Sequence, residues 1–179
     1  MTLPVRSASV FSATFDRSRL LRLVRARRVA VRGFFYFRHE RRGQVLYEGG
    51  GPNLIVDTGV AGLAGLAILT GQTDPFAYVG IGEGTTAVDP SDTALESEIS
   101  SGGGERALAT LSRVTDTITN DSARMVKTFT FTDSFAVTEA GVFDADTAGV
   151  MLCRQTRTAI NVVATDTLQV TYTVIFIPN

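Results

Sequence analysis

The chain has one cysteine, one histidine and no tryptophan in its 179 residues. A single cysteine, Cys153, excludes an internal disulfide framework. In its setting, VMLCRQT, it reads as a small buried apolar residue and not as a reactive thiol. The one histidine, His39, has no Cys or His neighbour at ligand spacing. It therefore offers no metal set and no signature of a base beside a serine or cysteine nucleophile, and it reads as a surface residue at a strand end. No run of about 18 apolar residues is present, so no membrane-spanning helix is expected. The opening MTLPVRSASVFSATFD lacks the basic and then apolar regions of a secretory leader. Gly-Lys-Ser/Thr is absent, which removes the phosphate loop of nucleoside triphosphatases. Together these absences point to a chain that stays in the cytoplasm, or is assembled there into something larger.

What is present is an ordinary globular composition, 44% hydrophobic and 20% charged, with enough apolar material for one domain. The net charge of −1 hides an asymmetry. Residues 1–42 carry eleven arginines against Asp16 and Glu40, or +9, so the remainder carries −10. Opposite charges in two parts of one chain suit self-association, basic arm onto acidic body, or an acidic external partner. Within the basic part, DRSRLLRLVRARR (16–28) predicts a short helix opened by Asp16. Leu20, Leu23 and Val24 share one face of it and Arg19, Arg22 and Arg25 another. Arg19, Arg22, Arg25 and Arg28 are the candidate partner contacts. The chain divides into a basic N-terminal arm and hairpin start at 1–43 and a β-rich domain at 44–179.

Beyond the arm, VAVRGFFYFRHE and QVLYEG flank RRG at 41–43 and predict a hairpin. Residues 57–70 predict the one glycine-rich helix, capped by Asp57 or Thr58. Val60, Leu63, Ala64, Ala67 and Ile68 line one face of it. Gly59, Gly62 and Gly65 recur every third residue, which implies close backbone packing against a sheet or a neighbouring subunit. From residue 107 onward the pattern alternates with period two. Met125, Lys127, Phe129 and Phe131 fall on one side of a strand, as do Leu168, Val170, Tyr172, Val174 and Phe176. The opposite side of the last strand is threonine-rich. The expected fold is mainly β: an antiparallel sandwich or jelly-roll-like barrel carrying the helix.

Three stretches invite a chemical reading. Gly80, Gly82 and Gly84 give G-x-G-x-G, but Thr85 stands where the dinucleotide fingerprint needs glycine, and Asp89-Pro90 follows where a helix should start. These glycines read as a structural corner that permits unusual backbone angles at a strand end. Asp144 to Gly149 begins like a calcium loop, yet Ala148 and Gln155 occupy ligand positions, so a β-turn is the simpler account. Glu96 and Glu98 read as surface charge, since nothing nearby would separate their pKa values for acid–base work. No cofactor, metal or catalytic constellation is expected.

The order of these pieces carries a resemblance. Ile81-Gly82-Glu83-Gly84-Thr85-Thr86 is followed by Asp92-Thr93-Ala94-Leu95, then by Thr138-Glu139-Ala140-Gly141-Val142-Phe143 and Gly149-Val150-Met151-Leu152. Over residues 44–179 this resembles a group of tailed-bacteriophage virion proteins found among tail, neck and fibre-associated genes. The arginine-rich start departs from that group. The resemblance implies a non-catalytic, oligomeric building block of a virion, assembled in the host cytoplasm and contacting itself and other virion proteins. A capsid decoration protein and a host-receptor or glycan-binding module at a fibre base are the rival readings. The absence of tryptophan speaks against sugar stacking. Nucleic acid is disfavoured because Phe34 to Phe37, lying on a strand, would turn half their rings into the core. In the corner itself, Gly82, Gly84, Asp92 and Glu139 are the structural candidates. Asp92 is expected to cap a turn carrying Leu95. Glu139 is expected to accept backbone N–H groups or to meet Arg106 or Arg154.

Overall fold

The computed structural model describes residues 29–72 and 74–178. The helix expected at 16–28, with Arg19, Arg22, Arg25 and Arg28, lies outside them. The described residues form ten strands and one helix. In chain order these are β1 (Val29–Arg41), β2 (Gln44–Pro52), β3 (Leu54–Ile55), α1 (Asp57–Ile68), β4 (Tyr78–Gly82), β5 (Ala107–Leu108), β6 (Thr110–Val114), β7 (Ser122–Thr130), β8 (Phe135–Phe143), β9 (Met151–Val162) and β10 (Thr167–Pro178). They build two five-stranded antiparallel sheets, β2-β1-β10-β7-β6 (sheet I) and β3-β9-β8-β4-β5 (sheet II). Of the two expected architectures this is the sandwich; the sheets do not close into a barrel.

The predicted hairpin is present, with Arg42 and Gly43 in left-handed conformation at its turn. Strand β1 continues from it into the middle of sheet I, paired along its length with β10 from Val29↔Pro178 to Glu40↔Thr167. The division at residue 43 therefore falls in a hairpin turn, and residues 29–43 belong to the same body as the rest of the sheet.

Period-two burial places Phe35 and Phe37 of β1, Leu168, Val170, Tyr172 and Val174 of β10, and Met125 and Phe129 of β7 in the core. The Phe35 and Tyr172 rings lie 4.8 Å apart. From sheet II come Val79, Ile81, Val137, Ala140, Val142 and Leu152. Each of the larger apolar side chains contributes about 1.5–3 kcal/mol by leaving water. Cys153 is fully buried among them, and burial pushes its thiol up to about 12.

The same parity corrects the reading of His39. It continues the inward row of Phe35 and Phe37 and is 3% exposed. Its Nε2 lies 2.8 Å from Oδ2 of the buried Asp166. Arg41 donates to the same carboxylate from Nε and Nη2, both at 2.8 Å. The Asp166 carboxyl also accepts the Val163 N–H, so it ties the end of β1 to the turn between β9 and β10. Polarity alone suggested the surface for His39; a partner 127 residues away made burial possible.

Helix α1 is where expected but faces the other way. Neither Asp57 nor Thr58 caps it: the N-cap is Val56, with no side-chain cap, and Thr58 Oγ1 donates instead to the Met151 carbonyl. The buried row is Gly59, Gly62 and Gly65. A Cβ at Gly59 would collide with the Leu152 backbone of β9, so the helix axis approaches the strand more closely than any side chain would permit. Val60, Ala64, Ala67 and Ile68 consequently face outward, and Ile68 is 72% exposed.

Candidate functional site: a covered corner on sheet II

Strand β8 is buried from Val137 to Phe143 on both of its sides. Its inward residues join the main core. Its outward residues Glu139, Gly141 and Phe143 lie beneath the segment that follows β4 and runs back over the sheet. Gly80 and Gly82 of β4 pair with Gly141 and Glu139, so glycines floor this outer face. Leu95 fills the space they leave and clusters with Val56, Phe143 and Met151.

Glu139 is the anchor, and it is 0% exposed. Its Oε1 accepts the N–H of Gly84 at 3.1 Å and of Ser97 at 2.8 Å. Its Oε2 accepts the N–H of Glu96 at 3.1 Å and Nε of Arg154 at 2.9 Å. Nη2 of Arg154 is also 2.9 Å from Oε2, an ion contact lying off the hydrogen-bond axis. A carboxylate has about four acceptor positions. Here they are filled, so this group holds chain segments together. The neighbouring Thr138 hydroxyl donates to the Gly84 carbonyl at 2.7 Å.

Arg154 is 2% exposed and carries more than one partner. Its Nη1 donates to Asp92 Oδ2 at 2.9 Å, and Nη2 lies 3.6 Å from Glu96 Oε2. Asp92 closes its turn backward, by accepting the Asp89 N–H at 3.0 Å, and does not cap the turn that carries Leu95. Glu96 is more than surface charge: Thr85 N–H, Thr86 N–H and the Thr86 hydroxyl all donate to it. Those donors, the Thr86 hydroxyl first, hold its carboxyl below the usual carboxylate range. Glu98 forms a fork with Arg106 at 2.7 and 2.6 Å, and the Arg106 guanidinium lies 3.4 Å over the Phe143 ring. Arg106 Nη1 also donates to the Ala148 carbonyl, reaching the turn where Asp144 Oδ1 accepts the Val150 N–H.

The structure thus brings together Gly82, Gly84, Asp92 and Glu139, the four corner residues read from the sequence. The reason for the glycines differs from the one expected. Neither Gly82 nor Gly84 has a left-handed backbone. Each is required because a Cβ would sit 2.5 Å from Oε1 of Glu139. Sequence reasoning missed the Asp166 clamp, whose partners lie 125 and 127 residues away, and the roles of Glu96 and Glu98, whose donors lie 8 to 11 residues off across irregular loops that carry no periodic signal. Phe35–Phe37–His39 parity was the signal that could have exposed the first.

Set against protein-family models, curated proteins and solved structures, the chain matches none of them.

Proposed function

We propose that this protein is a non-catalytic structural subunit of a tailed-bacteriophage particle, an oligomeric part of its neck, collar or tail apparatus. One observation carries the proposal. The motif pieces that resemble the phage group, at 81–86, 92–95, 138–143 and 149–152, meet on the covered face of sheet II, and their polar groups are spent on one another. A motif used up in this way serves shape, and shape is what an assembly subunit contributes. The polar but uncharged outer row of β10, Thr167, Gln169, Thr171 and Thr173, and the outward apolar side of α1 supply surface for neighbouring subunits. The arginine-rich arm supplies charge for an acidic partner surface, and its attachment should weaken as salt rises.

Gold-labelled antibody against this chain, viewed on intact phage particles by negative-stain microscopy, tests the reading. Label confined to one vertex or to the tail is the expected result. Label spread over the shell would favour a decoration protein, and particles that carry none would overturn the proposal.

A further inference from the structure

A polar cleft of about 520 Å³ lies between the edges of the two sheets, with Tyr47, Gly50 and Gly51 of β2 on one side and Thr156, Arg157 and Thr158 of β9 on the other. Gln155 Nε2 holds the two sides together by donating to the Gly51 and Pro52 carbonyls at 2.8 and 2.6 Å. Arg157 stands where β9 bulges: Glu139 pairs with Thr156 but Val137 with Ile160, so β9 carries extra residues between those pairs. A bulge at a sheet edge re-aims a side chain. Here the guanidinium lies 4.2 Å from the centre of the Phe37 ring and 4.6 Å from that of Tyr47, and its Nε donates to the Thr158 carbonyl. The other described arginines that are at least partly buried, Arg38, Arg41, Arg106 and Arg154, each meet a carboxylate. Among the described residues Arg157 meets none.

Beside this cation, β2 pairs with β1 along one edge, and no backbone group among the described residues bonds its other edge. Phe35, Phe37 and His39 face Gly51, Gly49 and Tyr47 across the pair, so the inward row of β2 is Tyr47, Gly49 and Gly51. The two glycines leave that row open under the guanidinium. We propose that a partner protein adds an extended segment to the free edge of β2 and sets an inward-facing carboxylate on Arg157. With Nε engaged, Nη1 and Nη2 are the donors left for the two carboxylate oxygens. Alternation puts that acid opposite Gly49, next to the ring pair that carries the guanidinium. A second copy of this chain does not supply it. Of the edge strands β2, β3, β5 and β6, only β2 carries an acid, Glu48, and it stands opposite Arg38 on the outward row. The occupant is therefore an acidic segment of a different chain, and the proposal does not rest on the particle reading.

The probe is a fluorescein-labelled strand-forming peptide, Thr-Val-Thr-Glu-Thr-Val-Thr, titrated by anisotropy against the full-length chain. It should bind about tenfold more tightly than the same peptide with Gln in place of Glu. Arg157→Gln should bring the two peptides level, and Arg157→Lys, which keeps the charge without the fork, should leave a smaller preference. Hydrogen exchange on the unsubstituted chain decides the matter even if a variant fails to fold. The Glu peptide should slow amides within residues 47–50 of β2 and leave the opposite edge of sheet I, β6, unchanged. No saturable binding, equal affinity for the two peptides, a preference that survives Arg157→Gln, or protection confined to another part of the chain would each overturn the proposal.

Discussion

The two sheets of this sandwich spend their outer faces differently. Sheet I turns one side of β10 inward and leaves Thr167, Gln169, Thr171 and Thr173 half-buried on the other. Sheet II has its outer face roofed by the segment after β4, so β8 is buried on both sides and its outward positions hold an ion-paired glutamate between glycines. Sheet I is stabilised mainly by apolar burial, with one ionic clamp, at Asp166, at the edge of its core. Sheet II adds a second, partly ionic layer, in which each group depends on several others. The lesson is one of coupling: substitutions should be nearly independent on the first sheet and strongly interdependent on the second.

The largest expected effect is at Glu139. Glu139→Gln keeps the shape but strips the charge that meets Arg154, and it should lower unfolding free energy by about 3–5 kcal/mol in urea titration. Unchanged stability and assembly would count against the corner as described. Pairing it with Arg154→Met removes both buried charges, and the double variant should lose about 1 kcal/mol or more less than the sum of the two single losses. Strict additivity would sink the claim of coupling. Next comes Gly84→Ala, whose Cβ has no room beside Oε1 of Glu139, with a loss of about 1–3 kcal/mol.

Asp166→Asn at the other clamp should cost about 2 kcal/mol at neutral pH. The Arg41 guanidinium, followed by the His39 bond, holds the Asp166 carboxyl well below its ordinary value of 3.8. A folded value below the unfolded one means that this stability is complete above 3.8 and is lost progressively as the pH falls below it toward the folded value. The gap between parent and variant should therefore shrink in acid; a gap that widened would refute the ionic account. The smallest effect is expected at Thr128, on the exposed side of β7. Thr128→Glu should change monomer stability by less than about 0.5 kcal/mol. A larger loss would show that this face is not free in the monomer, whereas loss of self-association measured by sedimentation at unchanged stability is what a subunit contact on this face predicts.

Sheet I was legible in the amino-acid order because only one of its faces meets the core. Leu168 to Val174 alternates accordingly; at Phe34 to Phe37 only the burial alternates, because all four side chains are aromatic. Sheet II was harder to read: at Thr138–Phe143 both faces are covered, and the alternation disappears. The corner residues were identifiable from the order of the motif pieces, and charge left Arg106 and Arg154 as partners for Glu139, of which Arg154 takes the place. The backbone-angle reason for Gly82 and Gly84 was wrong because the need for glycine came from a side chain about 55 residues away. Helix α1 was read half correctly: the close backbone packing its glycines implied is present against β9, while of the expected apolar row only Leu63 turns toward the core.

Strand β10 lies between β1 and β7, so the central position of sheet I is taken by a segment that follows all the others in the chain. Until residues 167–178 leave the ribosome, β1 can pair only with its hairpin partner β2, and Phe35 and Phe37 have no Tyr172 to pack on. Such long-range closure makes folding slow. Nascent chains would wait with an aromatic strand uncovered, and a cell producing many copies would draw on its chaperones for the interval between synthesis and closure.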